Sequence, residues 1–217
     1  ALATLSQQSV QEIFARWAGV GQDRGGGLSW IRLTPEEKQW LAAHPVIRFG
    51  SNPRWAPLEF IDREGIPQGI SHDYLERFGQ ALGVDFRPVP IASWSDAQDL
   101  LRRGEVDLLT SLNKASVRKD EFAFTPPYLS LQTAIFTRED TPYVGDLAEL
   151  KGRQVAVVPG YGMTEHLLPK YPGMETVNAK DVPTALRMLE DGTVDAYVGS
   201  LLITSHYIQA GGHGRIK

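Results

Sequence analysis

The chain has 217 residues, 42% of them apolar and 22% charged, with a net charge of −4 and no cysteine. That length can bury one large core or, more economically, two cores of roughly 100 residues each. The acidic balance leaves no electrostatic footprint for nucleic acid, no run approaches the ~20 apolar residues of a membrane span, the first residues lack the charged start and apolar run of a signal peptide, and disulfide or thiolate chemistry is excluded.

In chain order, Leu2, Leu5, Val10, Ile13, Phe14 and Trp17 fall at helical spacing, with Ser6 able to cap, so residues 1–17 read as a short amphipathic helix. Gly19, Gly21, Gly25, Gly26 and Gly27 make residues 18–27 a flexible linker. Thr34-Pro35-Glu36-Glu37 then supplies an N-cap, a proline at the first helical position and acids in the first turn. The helix that follows completes a connector, so residues 18–45 form one linking unit leading into strand 46–50.

Beyond Pro45 short apolar runs alternate with helical patterns. Strand 46–50, helix 71–82, strand 84–89, helix 95–103 and strand 106–110 form a first series. Strand 132–138, a short helix near 146–150, strand 153–158, helix 163–171, strand 175–178, helix 181–190 and strand 194–198 form a second. Such alternation is the pattern of βαβ units around a mostly parallel sheet flanked by helices. The chain is therefore expected to be α/β with two lobes, 46–129 and 130–217. Leu101-Arg-Arg-Gly-Glu-Val-Asp107 is echoed by Leu189-Glu-Asp-Gly-Thr-Val-Asp195, 88 residues on. Helix–glycine–strand punctuation recurs in any α/β protein, but the matching order of elements points to a pseudo-duplicated body.

Three segments carry groups suited to a ligand. Thr110, Ser111, Asn113 and Arg118 follow strand 106–110, and ligands of open α/β sheets bind beyond the carboxyl ends of strands. Arg118 offers a planar fork for a carboxylate, although a solvated loop arginine beside Lys119 and Asp120 fits the segment equally well. In Ser51-Asn52-Pro53-Arg54-Trp55-Ala56-Pro57, the prolines stiffen a loop from which Trp55 can project, and Trp94 is placed similarly after another strand. Both tryptophans are either cleft walls or core fillers. Val157-Val158-Pro159-Gly160-Tyr161-Gly162 leads through a glycine turn into a helix start whose N–H groups favour an anion, and it lacks the third glycine and trailing acid of a dinucleotide site.

Enzyme signatures are thin: HExxH, GxSxG and P-loop patterns are absent, and the five histidines show no metal-ligand spacing. An enzyme reading would need Glu59 or Asp73 as a general acid beside the ligand. No catalytic residue, cofactor or metal is expected.

Taken as a set, "IRFGSNPRWAPLEF", "GISHDYLERFGQALG", "SWSDAQDLLRRGEVDLLTSLNKASVRKDEFAFTPPYL", "LKGRQVAVVPGYG" and "VDAYVGSLL" resemble the family 3 extracellular solute-binding proteins, which have the two-lobed type II periplasmic binding (Venus-flytrap) fold. The resemblance runs from Val46 to about Gln209. It implies Trp55 and Trp94 as aromatic walls, Asn52 near the ligand head group, and Thr110, Ser111 and Asn113 as hydrogen-bonding positions. It puts Arg118 on the carboxylate-binding arginine and Tyr161 and Gly162 at the helix start that completes that site. Ser200 departs from the family pattern, which carries an aspartate there for an ammonium group. The implied ligand is a small carboxylate without an amine, or one whose amine meets another acid such as Glu59.

The family's closing C-terminal helix resembles residues 2–17, at the wrong end, and its last strand and return crossing lie beyond Lys217, so the second lobe is expected to be incomplete. A preceding binding domain ending at residue 17, with "LTPEEKQWLAAHP" as connector, resembles the tandem sensor domains of BvgS-type hybrid histidine kinases. The resemblance therefore implies a periplasmic sensing domain of an inner-membrane receptor. Its implied partners are a small carboxylate-bearing molecule between the lobes, a neighbouring periplasmic domain, a membrane-embedded signalling element and, as a further option, a second copy as homodimer. The alternative is the binding component of an ABC-type transporter.

Overall fold

The computed structural model describes residues 33–114, 121–167 and 170–217, with side chains throughout except at 166 and 167. The helix expected over residues 1–17, the glycine linker after it and Arg118 lie outside the described residues. Two compact units emerge. Described residues up to 53, with 57–112 and 123–128, form the first; 54–56, the described part of 113–122, and 129 onward form the second.

Helix α1 (Pro35–Ala43) starts as its sequence requires. The Thr34 hydroxyl accepts from the Glu37 amide at 3.2 Å while the Glu37 carboxylate accepts from the Thr34 amide at 2.8 Å, a reciprocal capping box. None of its residues is buried. The chain continues through β1 (Val46–Gly50), β2 (Arg54–Trp55, in the second unit), β3 (Glu59–Ile61), β4 (Pro67–Gln68), α2 (Ile70–Leu82), β5 (Asp85–Pro88), α3 (Trp94–Arg102) and β6 (Leu108–Leu109). β1 is central in a parallel sheet ordered β5-β1-β6, while β3 and β4 pair antiparallel. α2 buries Ile70, Tyr74, Leu75 and Phe78, one helical stripe, and closes on Gly83 in the left-handed conformation at φ 69°. Gly69, which admits α2, has φ 117° and would place a Cβ 2.5 Å from the Leu58 carbonyl oxygen, so no other residue fits there.

The second unit runs β7 (Thr133–Thr137), a 3-10 turn (Leu147–Leu150), β8 (Gln154–Val157), α4 (Gly162–Leu167), β9 (Glu175–Asn178), α5 (Val182–Glu190), β10 (Ala196–Ser200) and α6 (Leu201–Gly211). Its sheet is ordered β7-β10-β8-β9, with β7 antiparallel and the rest parallel. Leu150, Val155, Val157, Ala196 and Val198 form the core on one face of it.

The internal echo is a structural repeat, because β9-β8-β10 reproduces β5-β1-β6. In the first unit the Asp107 carboxylate accepts from the Arg48 amide at 2.7 Å and the Asp107 amide donates to the Arg48 carbonyl at 2.8 Å. In the second, Asp195 does the same with Gln154, at 3.0 and 2.8 Å. Each aspartate clamps the neighbouring strand from just outside the ladder. That is why β6 and β10 begin at Leu108 and Ala196, later than the expected Val106 and Val194, which are both buried.

Candidate functional site

The first unit gathers hydroxyls around a buried acid. Ser71 comes from the first turn of α2, Thr110 and Ser111 from the end of β6, and Tyr128 from the strap that closes the unit. Glu59 of β3 is 1% exposed. The Thr110 hydroxyl donates to its Oε2, and its Oε1 meets no partner at hydrogen-bond geometry among the described residues. Burial pushes the Glu59 carboxyl up to about 7, against the pull of the Thr110 hydroxyl, the Asn52 amide and the Ser111 hydroxyl.

Tyr128 donates to the Thr110 carbonyl at 2.8 Å. Its oxygen also lies 3.0 Å from Ser71 Oγ and 3.2 Å from Ser111 Oγ, which are 2.9 Å from each other. Burial first, and the charge of Glu59 second, push the phenol up to about 12. Tyr128 therefore remains a donor throughout the neutral range. The assembly sits at the carboxyl ends of β1 and β6, where an open parallel sheet exposes its loops. It can hydrogen-bond polar groups from several directions, and among the described residues it contains no cation.

In the second unit the Trp55 ring lies against Tyr161, with centroids 5.6 Å apart and planes at 59°. Arg54 pairs with Asp181 at 2.8 Å, and Asp181 also caps α5 by accepting from the Thr184 amide at 2.9 Å and hydroxyl at 2.6 Å. Burial alone would raise the Asp181 carboxyl, but Thr184 and the Arg54 guanidinium outweigh it and hold it below the usual carboxylate range. The Ala56 amide donates to the Tyr207 hydroxyl at 3.2 Å. Gly162 is pressed against Asn113: a Cβ there would lie 2.7 Å from the Asn113 Cβ. Ser200 occupies the N-cap position of α6 without capping it, and its hydroxyl is buried with no partner among the described residues.

The sequence-derived residues thus divide between the units: Asn52, Trp94, Thr110 and Ser111 in the first; Trp55, Asn113, Tyr161, Gly162 and Ser200 in the second. Arg118 lies outside the described residues. Trp94 is 9% exposed and packs in the core as the first residue of α3, which matches the core-filler alternative. Glu59 is too enclosed to present its carboxylate to a ligand amine; it holds Thr110 instead. Ser71 and Tyr128 lie within segments that carry the resemblance but were not singled out as site residues, since only folding brings both to Thr110. Among the described residues no cluster of three or more His, Asp or Glu could hold a metal, and no helix is long and apolar enough to cross a membrane.

Residues 47–181 match the bacterial extracellular solute-binding proteins, family 3, and the chain belongs to that family. The fold is the two-lobed, type II periplasmic binding fold: the periplasmic VFT2 domain of Bordetella pertussis BvgS superimposes with a TM-score of 0.77 at 28% identity, covering 86% of this chain and 79% of that one. Among full-length relatives, the virulence sensor protein BvgS of Bordetella bronchiseptica is 26% identical over 216 residues, 100% of this chain but 17% of that protein. Membrane-bound lytic murein transglycosylase F of Idiomarina loihiensis is 32% identical over 170 residues, 74% of this chain and 36% of the enzyme.

Proposed function

We propose that the chain is the periplasmic ligand-sensing domain of a membrane-bound signalling receptor and that it binds a small carboxylate-bearing solute without chemically altering it. The observation that carries this reading is the extent of the likeness to BvgS. It spans 100% of the chain, including the capped connector helix α1 that precedes the family match at residue 47. A transporter's binding component, for an amino acid or an organic acid, is the alternative, and family membership alone supports it.

In this reading Arg118 supplies the charge for the carboxylate, and Thr110, Ser111, Asn52 and Asn113 supply neutral hydrogen bonds. Tyr161 and Gly162 complete the carboxylate contacts, Trp55 bounds the apolar part of the solute while Trp94 supports the site from the core, and Ser200 replaces an ammonium-binding acid with a neutral hydroxyl. Ligand binding biases the equilibrium between domain conformations by its differential affinity for them, and a neighbouring periplasmic domain and membrane-embedded partner receive that bias. A thermal-shift screen of small carboxylates and amino acids against wild type and Arg118→Ala tests the proposal. Stabilisation by carboxylates in wild type and its loss in the variant are expected; equal stabilisation of both proteins contradicts the anchor.

A further inference from the structure

Glu59 has one oxygen engaged by Thr110 and the other unengaged, and it is 1% exposed. Counting protons around it fixes what Thr110 can offer. An ionised carboxylate only accepts, so the single Thr110 hydroxyl proton points at Glu59 and the outward lone pairs of Oγ1 can only accept. A protonated carboxyl can instead donate to Thr110 Oγ1, which frees the Thr110 proton to donate outward. The surrounding hydroxyls cannot mask this reversal. Tyr128 has committed its proton to the Thr110 carbonyl, and Ser71 and Ser111 have two protons for the three contacts within their triad with Tyr128 and for the pull of Ser111 on Glu59.

We propose that Glu59 is a positioning residue that sets the hydrogen-bond polarity Thr110 presents to the ligand: acceptor toward a ligand N–H when Glu59 is ionised, donor toward a ligand carboxylate when it is protonated. The proposal rests on the reading of Thr110 as a ligand contact. With a carboxyl pushed up to about 7, both forms are populated at neutral pH.

The titratable and charged groups on the elements around Glu59 are few. Tyr128 stays protonated. α2, which packs on β3, carries His72, Asp73, Tyr74, Glu76 and Arg77, Tyr74 lying against Tyr128 with its phenol pushed up by burial. On the sheet, Arg48 of β1 and Asp107 before β6 are paired with each other. Among the described residues none of these forms an ion pair with Glu59, whose proton affinity is set by burial against the pull of Thr110, Asn52 and Ser111.

Two measurements on the 217-residue chain test the proposal. In the first, the Glu59 carboxyl carbon, assigned by its loss in Glu59→Gln, is titrated by 13C NMR in wild type and in Thr110→Val. Removing the hydroxyl donor should raise the midpoint by about one pH unit; an unmoved midpoint overturns the link. In the second, dissociation constants are measured for monomethyl glutarate and for glutaramate, both singly charged, which differ at one end in carrying an ester that only accepts or an amide with an N–H donor. The ratio of the monomethyl glutarate constant to the glutaramate constant should rise about tenfold from pH 6 to pH 8.5 in wild type and stay constant in Glu59→Gln. A ratio independent of pH in wild type, or no binding of either compound, overturns the proposal. If Arg118→Ala abolishes binding while the wild-type ratio stays constant, the carboxylate reading stands and this one falls. If the ratio switches but Arg118→Ala binds normally, the anchor falls alone.

Discussion

Glu59→Gln should make the protein more stable relative to wild type as pH rises. The side chain is 1% exposed, and burial moves its carboxyl from the ordinary 4.5 to about 7. Because the folded value lies above the unfolded one, the proton favours the folded state. The contribution is fully present below the unfolded value and is lost as pH rises through about 7. A displacement of that size corresponds to about 3 kcal/mol in all, of which about 2.5 kcal/mol disappears between pH 5 and pH 8. Glutamine keeps the shape and cannot ionise, so the difference between the two proteins isolates Glu59 from every other titrating group. Urea unfolding followed by tryptophan fluorescence, at half-unit pH steps, measures it. For a chain of this size the matching change in relative melting temperature is roughly 5–10 °C. Parallel stability profiles for the two proteins would refute the reasoning, since they would mean that Glu59 ionises as readily folded as unfolded.

Three further outcomes follow from geometry. Gly162→Ala must push a methyl to within 2.7 Å of the Asn113 Cβ; calorimetry should show a destabilisation of about 1–3 kcal/mol, with unchanged melting ruling out the contact. Asp181→Ala removes both hydrogen bonds from Thr184 and the partner of Arg54, and lost capping should lower the urea midpoint by the equivalent of about 1–2 kcal/mol. Asp107→Asn should cost under about 1 kcal/mol and become indistinguishable from wild type in 1 M salt, because the Arg48 and Asp107 side chains are 44% and 41% exposed. For the same pair, Asp107 sits below its usual value, chiefly through the Arg48 hydrogen bonds, so its small contribution holds above the unfolded carboxylate value and is lost as pH falls through the folded one.

The elements that could be read in the sequence were those with local signals. Thr34-Pro35-Glu36-Glu37 encodes its capping box in adjacent residues, β1 and β9 have the bounds expected of them, 46–50 and 175–178, and the Val-Asp echo marks a clamp used twice. The β3–β4 hairpin escaped because its first strand carries a buried acid, Glu59, where an apolar residue would have announced a strand. α6 escaped because Leu201–Gly211 has no capping side chain and no clear polar face, so no local signal marks a helix after strand 194–198. The candidate site was legible where strand ends gather residues, at Asn52, Thr110 and Ser111. Ser71, Tyr128 and the enclosure of Glu59 depend on contacts between residues 40 or more apart in the case of Ser71 and Ser111, and no local pattern encodes them.

The central claim is that a small carboxylate is held through Arg118 and the hydroxyls that follow β6. Isothermal titration of the most stabilising carboxylate from the screen, into wild type and Arg118→Ala, measures it most directly. Removing the cation that pairs with a bound carboxylate costs about 2–5 kcal/mol, so the variant should bind at least about thirtyfold more weakly. Equal dissociation constants, or no small carboxylate that binds the wild type, would contradict the account.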